Sequence, residues 1–147
     1  MPFYICPGCR RRSLDDDGLE GLTGRPVSCA SCGFGFLFEI MDDYYPAPGT
    51  GFLVCDRKGR VIAAGQGVFE LTGYREADLL GHDVMEALFV VEENGPTPAA
   101  LALEWGVRRF DQKLTLRTRA GVTKVVRADF FPAYDEDGGL LVAVAPR

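Results

Sequence analysis

Residues 113–145 read KLTLRTRAGVTKVVRADFFPAYDEDGGLLVAVA. The first seven alternate apolar and polar side chains, the period of a strand with one buried face. Ala120-Gly121 supplies a turn, and VTKVVRADFFPAY (122–134) continues as a longer strand. DEDGG (135–139) is a second turn. LLVAVA (140–145) shows no alternation at all, so it reads as a strand that is buried. Strands joined by short glycine turns pair antiparallel, so the stretch predicts a three-stranded meander.

The segment upstream carries the rest of the pattern. GFLVCDRKGRVIAA (51–64) is two short apolar runs around Asp56-Arg57-Lys58-Gly59, a hairpin. QGVFELTG (66–73) and YREADLLG (74–81) are short helical segments, each stopped by a glycine. Asp83 and Glu86 are spaced as an N-cap and its N3 partner. Thr97-Pro98 opens a longer helix over 97–110, on which Leu103, Val107 and Phe110 form one apolar face. The order is two strands, a cluster of helices, then three strands. That predicts an α+β fold: an antiparallel sheet of about five strands with helices on one face.

Three features of this segment resemble the PAS domain family. They are the G-x-x-V-x-D-x-x-G-x-V-I opening from Gly51 to Ile62, the L-T-G-Y-x-x-x-x-L-L-G pair from Leu71 to Gly81, and the final meander with Gly121 and Pro132 to Gly138. The resemblance implies a PAS fold over 51–147. In one place the chain departs from the family. Gly65-Gln66-Gly67 stands where the family commonly has Asn, so a ligand contact there is not carried over.

The first quarter follows a different logic. Cys6-Pro7-Gly8-Cys9 and Cys29-Ala30-Ser31-Cys32 give C-x2-C-x19-C-x2-C. Two cysteines separated by two residues reach one metal from a tight turn, and two such turns supply the four tetrahedral ligands that zinc takes. Two disulfides are the alternative, and no signal peptide supports them. A redox pair would open a helix in a βαβ unit, and a c-type haem would need His where Arg10 and Gly33 stand. The expectation is one structural zinc held by Cys6, Cys9, Cys29 and Cys32, with no open coordination position for catalysis. FYICPGCRRRSLDDDGLEGLTGRPVSCASCGFGFLFEI (3–40) also resembles a small bacterial zinc ribbon, with the G-x-x-V-x-C-x-x-C-G pattern at Gly24–Gly33. The expected organisation is a ribbon over 1–40, a linker over 41–50 (MDDYYPAPGT) and a PAS domain over 51–147. Tyr44 and Tyr45 stand out in that linker and are expected to pack within the chain.

Charge narrows the partners. The net charge is −5: four Arg against seven acids before Pro48 give −3, and 12 basic against 14 acidic residues after it give −2. Neither part has the basic excess of a nucleic-acid binder. Arg10–Arg12 are expected to offset the charge of a zinc thiolate site. A ribbon that contacts nucleic acid in a transcription regulator is therefore the least favoured reading. No apolar run approaches the ~18 residues of a membrane span, which points to the cytoplasm. Thirteen Arg against three Lys hints at a GC-rich bacterium.

Catalytic signatures are missing: there is no G-x-S-x-G and no G-x-x-x-x-G-K-[ST]. Cys55 lies in the first PAS strand, where it reads as core, and His82 lies in a turn expected to be exposed. Neither haem nor flavin is expected. Phe69, Leu80, Leu88, Trp105, Phe130 and Leu141 are candidates either to line a ligand pocket or to fill it. No kinase, cyclase or response-regulator segment follows, so a signal is expected to pass to another molecule. The expected role is a signalling adaptor that docks a separate signalling or regulatory protein; the resemblance implies that a homodimer can form. The alternative is a sensor of a small molecule.

Overall fold

The computed structural model describes residues 3–9, 12–14, 38–41, 44–91, 95–133 and 139–146. Three short strands come first: β1 (Phe3–Ile5), β2 (Arg12–Leu14) and β3 (Phe38–Ile40). Then follow β4 (Gly51–Cys55), β5 (Val61–Ala64), α1 (Val68–Thr72), α2 (Glu76–Leu79), α3 (Val84–Leu88) and α4 (Pro98–Trp105). The last strands are β6 (Arg109–Arg117), β7 (Thr123–Pro132) and β8 (Leu140–Pro146).

The five later strands form one antiparallel sheet in the order β5-β4-β8-β7-β6. The meander read from 113–145 is present, and its last strand closes the sheet by pairing Gly51–Cys55 with Leu140–Val144. The first turn is built as its sequence implies. Asp56 Oδ1 accepts the N–H groups of Lys58 and Arg60, and Gly59 takes the positive φ that closes the hairpin. Residues 135–138 of the second meander turn lie outside the described residues.

The unbroken apolar runs of β4 and β8 have a structural cause: these central strands are buried on both faces. Leu53, Cys55, Leu140, Val142 and Val144 point to the helices and pack with Leu79, Val84, Leu88 and Ala102. Phe52, Val54, Leu141 and Ala143 point the other way, against Ile5, Phe38 and Ile40 of the N-terminal strands. Those three strands form a small sheet of their own, β2-β1-β3. Strands three residues long bury too little to stand alone, and this sheet uses the face of the larger one as its core.

Both sheet edges are covered in part. Val61 on β5 exchanges hydrogen bonds with Gly81 and His82, and the Ala64 N–H donates to Glu76 Oε2. On β6, the Val90 N–H donates to the Thr115 carbonyl and Phe89 bridges Leu116. Covered edges cannot take up a further strand at these points.

The helix caps match the sequence. Asp83 accepts from the Met85 and Glu86 N–H groups at 3.0 and 3.2 Å, and Thr97 accepts from Ala100 at 3.1 Å. α4 corrects the expected helix over 97–110. It stops at Trp105, because Gly106 adopts a left-handed conformation there. Its buried residues are Ala99 and Ala102. Val107 is exposed, and Phe110 belongs to β6 and packs on the opposite face of the sheet. The spacing of Leu103, Val107 and Phe110 fits a helical period, but the glycine interrupts it.

Candidate functional site

The first cysteine pair forms the turn that joins β1 to β2. Ile5 pairs with Arg12 across it, and Cys6-Pro7-Gly8-Cys9 makes the first part of the connection; residues 10 and 11 lie outside the described residues. Cys6 is fully buried and Cys9 is half-buried. Two thiols so placed offer half of a tetrahedral thiolate set, and the donor chemistry suits zinc. Cys29 and Cys32 lie outside the described residues, as does most of the stretch expected to complete the ribbon. Among the described residues no group of three or more His, Cys, Asp or Glu side chains is placed to hold a metal.

The turn is seated on the larger sheet. The Pro7 carbonyl accepts the Gln66 N–H at 2.9 Å, and the Gly65 N–H donates to Phe52 at 2.7 Å. A Cβ on Gly65 would lie 2.2 Å from the Pro7 oxygen and 2.7 Å from its carbonyl carbon. Two residues on, Gly67 has φ +87°, and a Cβ there would lie 2.2 Å from the Thr50 oxygen. The Gly65-Gln66-Gly67 departure from the family pattern is thereby explained. One glycine admits the cysteine turn, and the other admits the chain entering β4.

A polar cluster sits beside this seat on the same face of the sheet. Tyr44 donates to Asp129 Oδ2 at 3.3 Å, and its ring meets Phe131 edge-on at 5.0 Å. Asp129 Oδ1 accepts the Asp111 N–H at 2.8 Å. That contact holds a bulge in β6, where Asp111 takes φ 55°, a positive value uncommon outside glycine. The Arg127 Nε lies 3.3 Å from Asp111 Oδ1. Burial raises the Asp129 carboxyl above its ordinary range, and the Asp111 N–H opposes that shift. Burial, with the Asp129 charge second, pushes the Tyr44 phenol up, so it stays protonated and donates. Asp111, Lys113, Val126, Arg127 and Pro146 line a groove of about 500 Å³ next to the cluster. Sequence reading missed this cluster apart from Tyr44; a polar residue among apolar neighbours, Asp129 before Phe130-Phe131, was the available signal.

The candidate pocket residues do not converge. Leu88 and Phe130 are buried on the helix side, but Leu141 is buried on the other face. Phe69, Leu80 and Trp105 are exposed, Trp105 by 70%. Phe69 is covered in part by the Arg75 guanidinium, 4.6 Å above its ring. Cys55 is core, as expected, and burial raises its thiol far above the reactive range. His82 is exposed in its turn, also as expected.

A family model described as PAS domain matches residues 49–145. No curated protein matches the sequence. The fold is similar to that of a PAS domain from Colwellia psychrerythraea, at 21% identity over 65% of this chain and 84% of that one, TM-score 0.55. It is similar to the PAS domain of nitrogen regulation protein NR(II) from Vibrio parahaemolyticus, at 15% identity over 68% and 91%, TM-score 0.55. The light-state dimer of the fungal blue-light photoreceptor Vivid matches at 14% identity over 71% and 82%, TM-score 0.57. At these identities the likeness speaks to fold alone.

Proposed function

Because the chain belongs to the PAS domain family, we propose that it works as a non-enzymatic signalling adaptor, which docks a separate signalling or regulatory protein in the cytoplasm. PAS modules serve signal transduction by controlled association, and a homodimer falls within that repertoire. The observation that carries the docking reading is the outward placement of Phe69, Leu80 and Trp105. Residues that would have lined an interior pocket instead offer apolar surface to a partner. Trp is also among the side chains enriched at the energetic centres of protein interfaces. The centre of the outer sheet face is already occupied by the chain's own N-terminal strands, so the helix side is the surface available. Among the described residues no helix is long and apolar enough to cross a membrane.

In this reading the N-terminal unit is a strut. One zinc ion held by Cys6, Cys9, Cys29 and Cys32 would supply the cross-link that strands of three residues lack. Such an ion contributes folding free energy on the order of 10 kcal/mol.

Native mass spectrometry of the protein purified from cells tests the proposal. Chain mass plus one zinc per subunit, with no other added mass, is the expected result. A further organic mass released on unfolding would replace the adaptor with a small-molecule sensor. Absence of zinc, with a loss of two hydrogens per cysteine pair, would replace the metal with disulfides.

A further inference from the structure

We propose that the groove beside the β6 bulge binds the carboxylate of a small organic acid, held between Lys113 and Arg127. The proposal stands apart from the zinc and docking readings above, because its residues belong to neither.

The bulge assembles the site. Arg109 pairs with Phe130 and Gln112 with Ala128, so β6 sets two residues, Phe110 and Asp111, against the single residue Asp129. In a regular strand Phe110 and Lys113, three positions apart, would point to opposite faces. The extra residue puts both on the outer face. Phe110 packs there edge-on to Phe131, and Lys113 lies directly opposite Arg127. Asp111 takes the positive φ that the bulge requires, and Asp129 Oδ1 holds it by accepting the Asp111 N–H at 2.8 Å. The groove is thus fixed before any ligand arrives, which lowers the ordering cost of binding.

The result is a pair of cations side by side. Like charges directly opposite each other across a ladder destabilise a sheet. Arg127 is offset by Asp111, whose Oδ1 lies 3.3 Å from its Nε. Lys113 has no ion pair among the described residues. Asp129 is engaged by Tyr44 and the Asp111 N–H. The described lining therefore sets one acid, Asp111, against two bases, Lys113 and Arg127, a net +1 in a chain of net −5.

That balance selects the ligand. One carboxylate brings the lining to neutrality, whereas a phosphate monoester, at about −1.5 to −2 at pH 7, overshoots it. Arg127 uses its Nε on Asp111 and keeps its terminal nitrogens to donate to a carboxylate. Lys113 adds a point charge from the facing strand. Pro146, exposed at the end of β8, gives an apolar edge with no backbone donor, against which the body of an organic acid can lie. The volume of about 500 Å³ lies within the roughly 300–1,000 Å³ of small-molecule sites. Both cations reach solvent, so the ligand exchanges freely and is sought by titration, not by co-purification.

The test is an NMR titration of the ¹⁵N-labelled full chain at low ionic strength with benzoate, its neutral methyl ester and inorganic phosphate. Benzoate should give saturable shifts at the Asp111, Lys113 and Arg127 amides, and the ester should give none there. Lys113→Met, which keeps the length of the side chain and removes its charge, should weaken benzoate about tenfold. Lys58→Met, in the turn between β4 and β5, should stay within about twofold. Should Lys113→Met not fold, Arg127→Met carries the same expectation. Absence of saturable shifts at these amides, or equal affinity in the wild type and the groove variant, overturns the site. Equal binding of the ester overturns its ionic basis, and phosphate binding as tightly as benzoate overturns the choice of a carboxylate.

Discussion

Tyr44 and Asp129, 85 residues apart, meet on the outer face of the sheet with the phenol donating to the carboxylate at 3.3 Å. The pair pins the segment that connects the small sheet to β4. The hydrogen bond is long for O–H···O, where about 2.7–2.8 Å is usual, so the hydroxyl contributes at the low end. The ring, edge-on to Phe131, contributes more. Tyr44→Phe is expected to cost about 0.5 kcal/mol and Tyr44→Ala at least about 2 kcal/mol. Urea denaturation of both variants checks this. Equal losses would mean that the hydroxyl, and not the ring, is the anchor.

Asp83 offers a simpler test of local structure. Its carboxylate accepts two N–H groups at the start of α3, and α3 has only five residues. A helix so short depends on its cap, because four N-terminal donors lack partners within the helix. Asp83→Ala should cost about 1 kcal/mol, within the roughly 0.5–2 kcal/mol range of cap losses. Asp83→Asn should recover most of it. Thermal melts of the two variants would distinguish loss of the cap from loss of the charge.

The sheet and its hairpins were legible because alternation, glycine turns and the LLVAVA run report strand burial directly. The caps at Asp83 and Thr97 were legible for a similarly local reason. The end of α4 was not: Leu103, Val107 and Phe110 have a helical period, and only Gly106 in the left-handed conformation separates them. Tertiary contacts hid the rest. Nothing near Gly65 in sequence announces that Pro7, 58 positions away, packs on it. The same holds for Asp129 and its partners Tyr44 and Asp111, which converge from three segments. Ile5, Phe38 and Ile40 gave no hint that their core is the far face of another sheet. Of the expected zinc ligands, Cys29 and Cys32 lie outside the described residues, so that half of the expectation rests on the sequence alone.

Leu141 and Trp105 should respond in opposite ways. Leu141 is fully buried between the sheet and its N-terminal cover. Leu141→Ala leaves a cavity and should cost about 2–5 kcal/mol. Trp105 is exposed at the end of α4, so Trp105→Ala should change stability by no more than about 0.5 kcal/mol. If Trp105 anchors a partner, that variant remains folded and loses the complex. A stability loss at Trp105 comparable to that at Leu141 would place the indole in the core and remove it as a docking residue.

Asp129 predicts a pH dependence with a definite sign. Tyr44 and the Asp111 N–H bond it, Arg127 acts on it electrostatically, and Lys113 pairs with Arg127 on the neighbouring strand. Burial is the largest influence and raises the carboxyl above the unfolded value of about 3.9. A raised carboxyl means that the folded protein holds its proton more tightly than the unfolded chain does. Stability contributed by this group therefore falls as pH rises from about 3.9 through the folded value, and above that value the ionised carboxylate is a constant cost. Asp129→Asn removes the charge and keeps an oxygen to accept the Asp111 N–H. The variant should equal or exceed the wild type in stability at pH 7. Its advantage should shrink as pH falls towards 4, because the wild type then becomes neutral at the same position. Denaturation midpoints of the two proteins across pH 4 to 8 give the difference directly and cancel the other titrating groups. An advantage that grows on acidification would show that the ionised form is the stabilised one, held by Arg127 and the Asp111 N–H against the cost of burial.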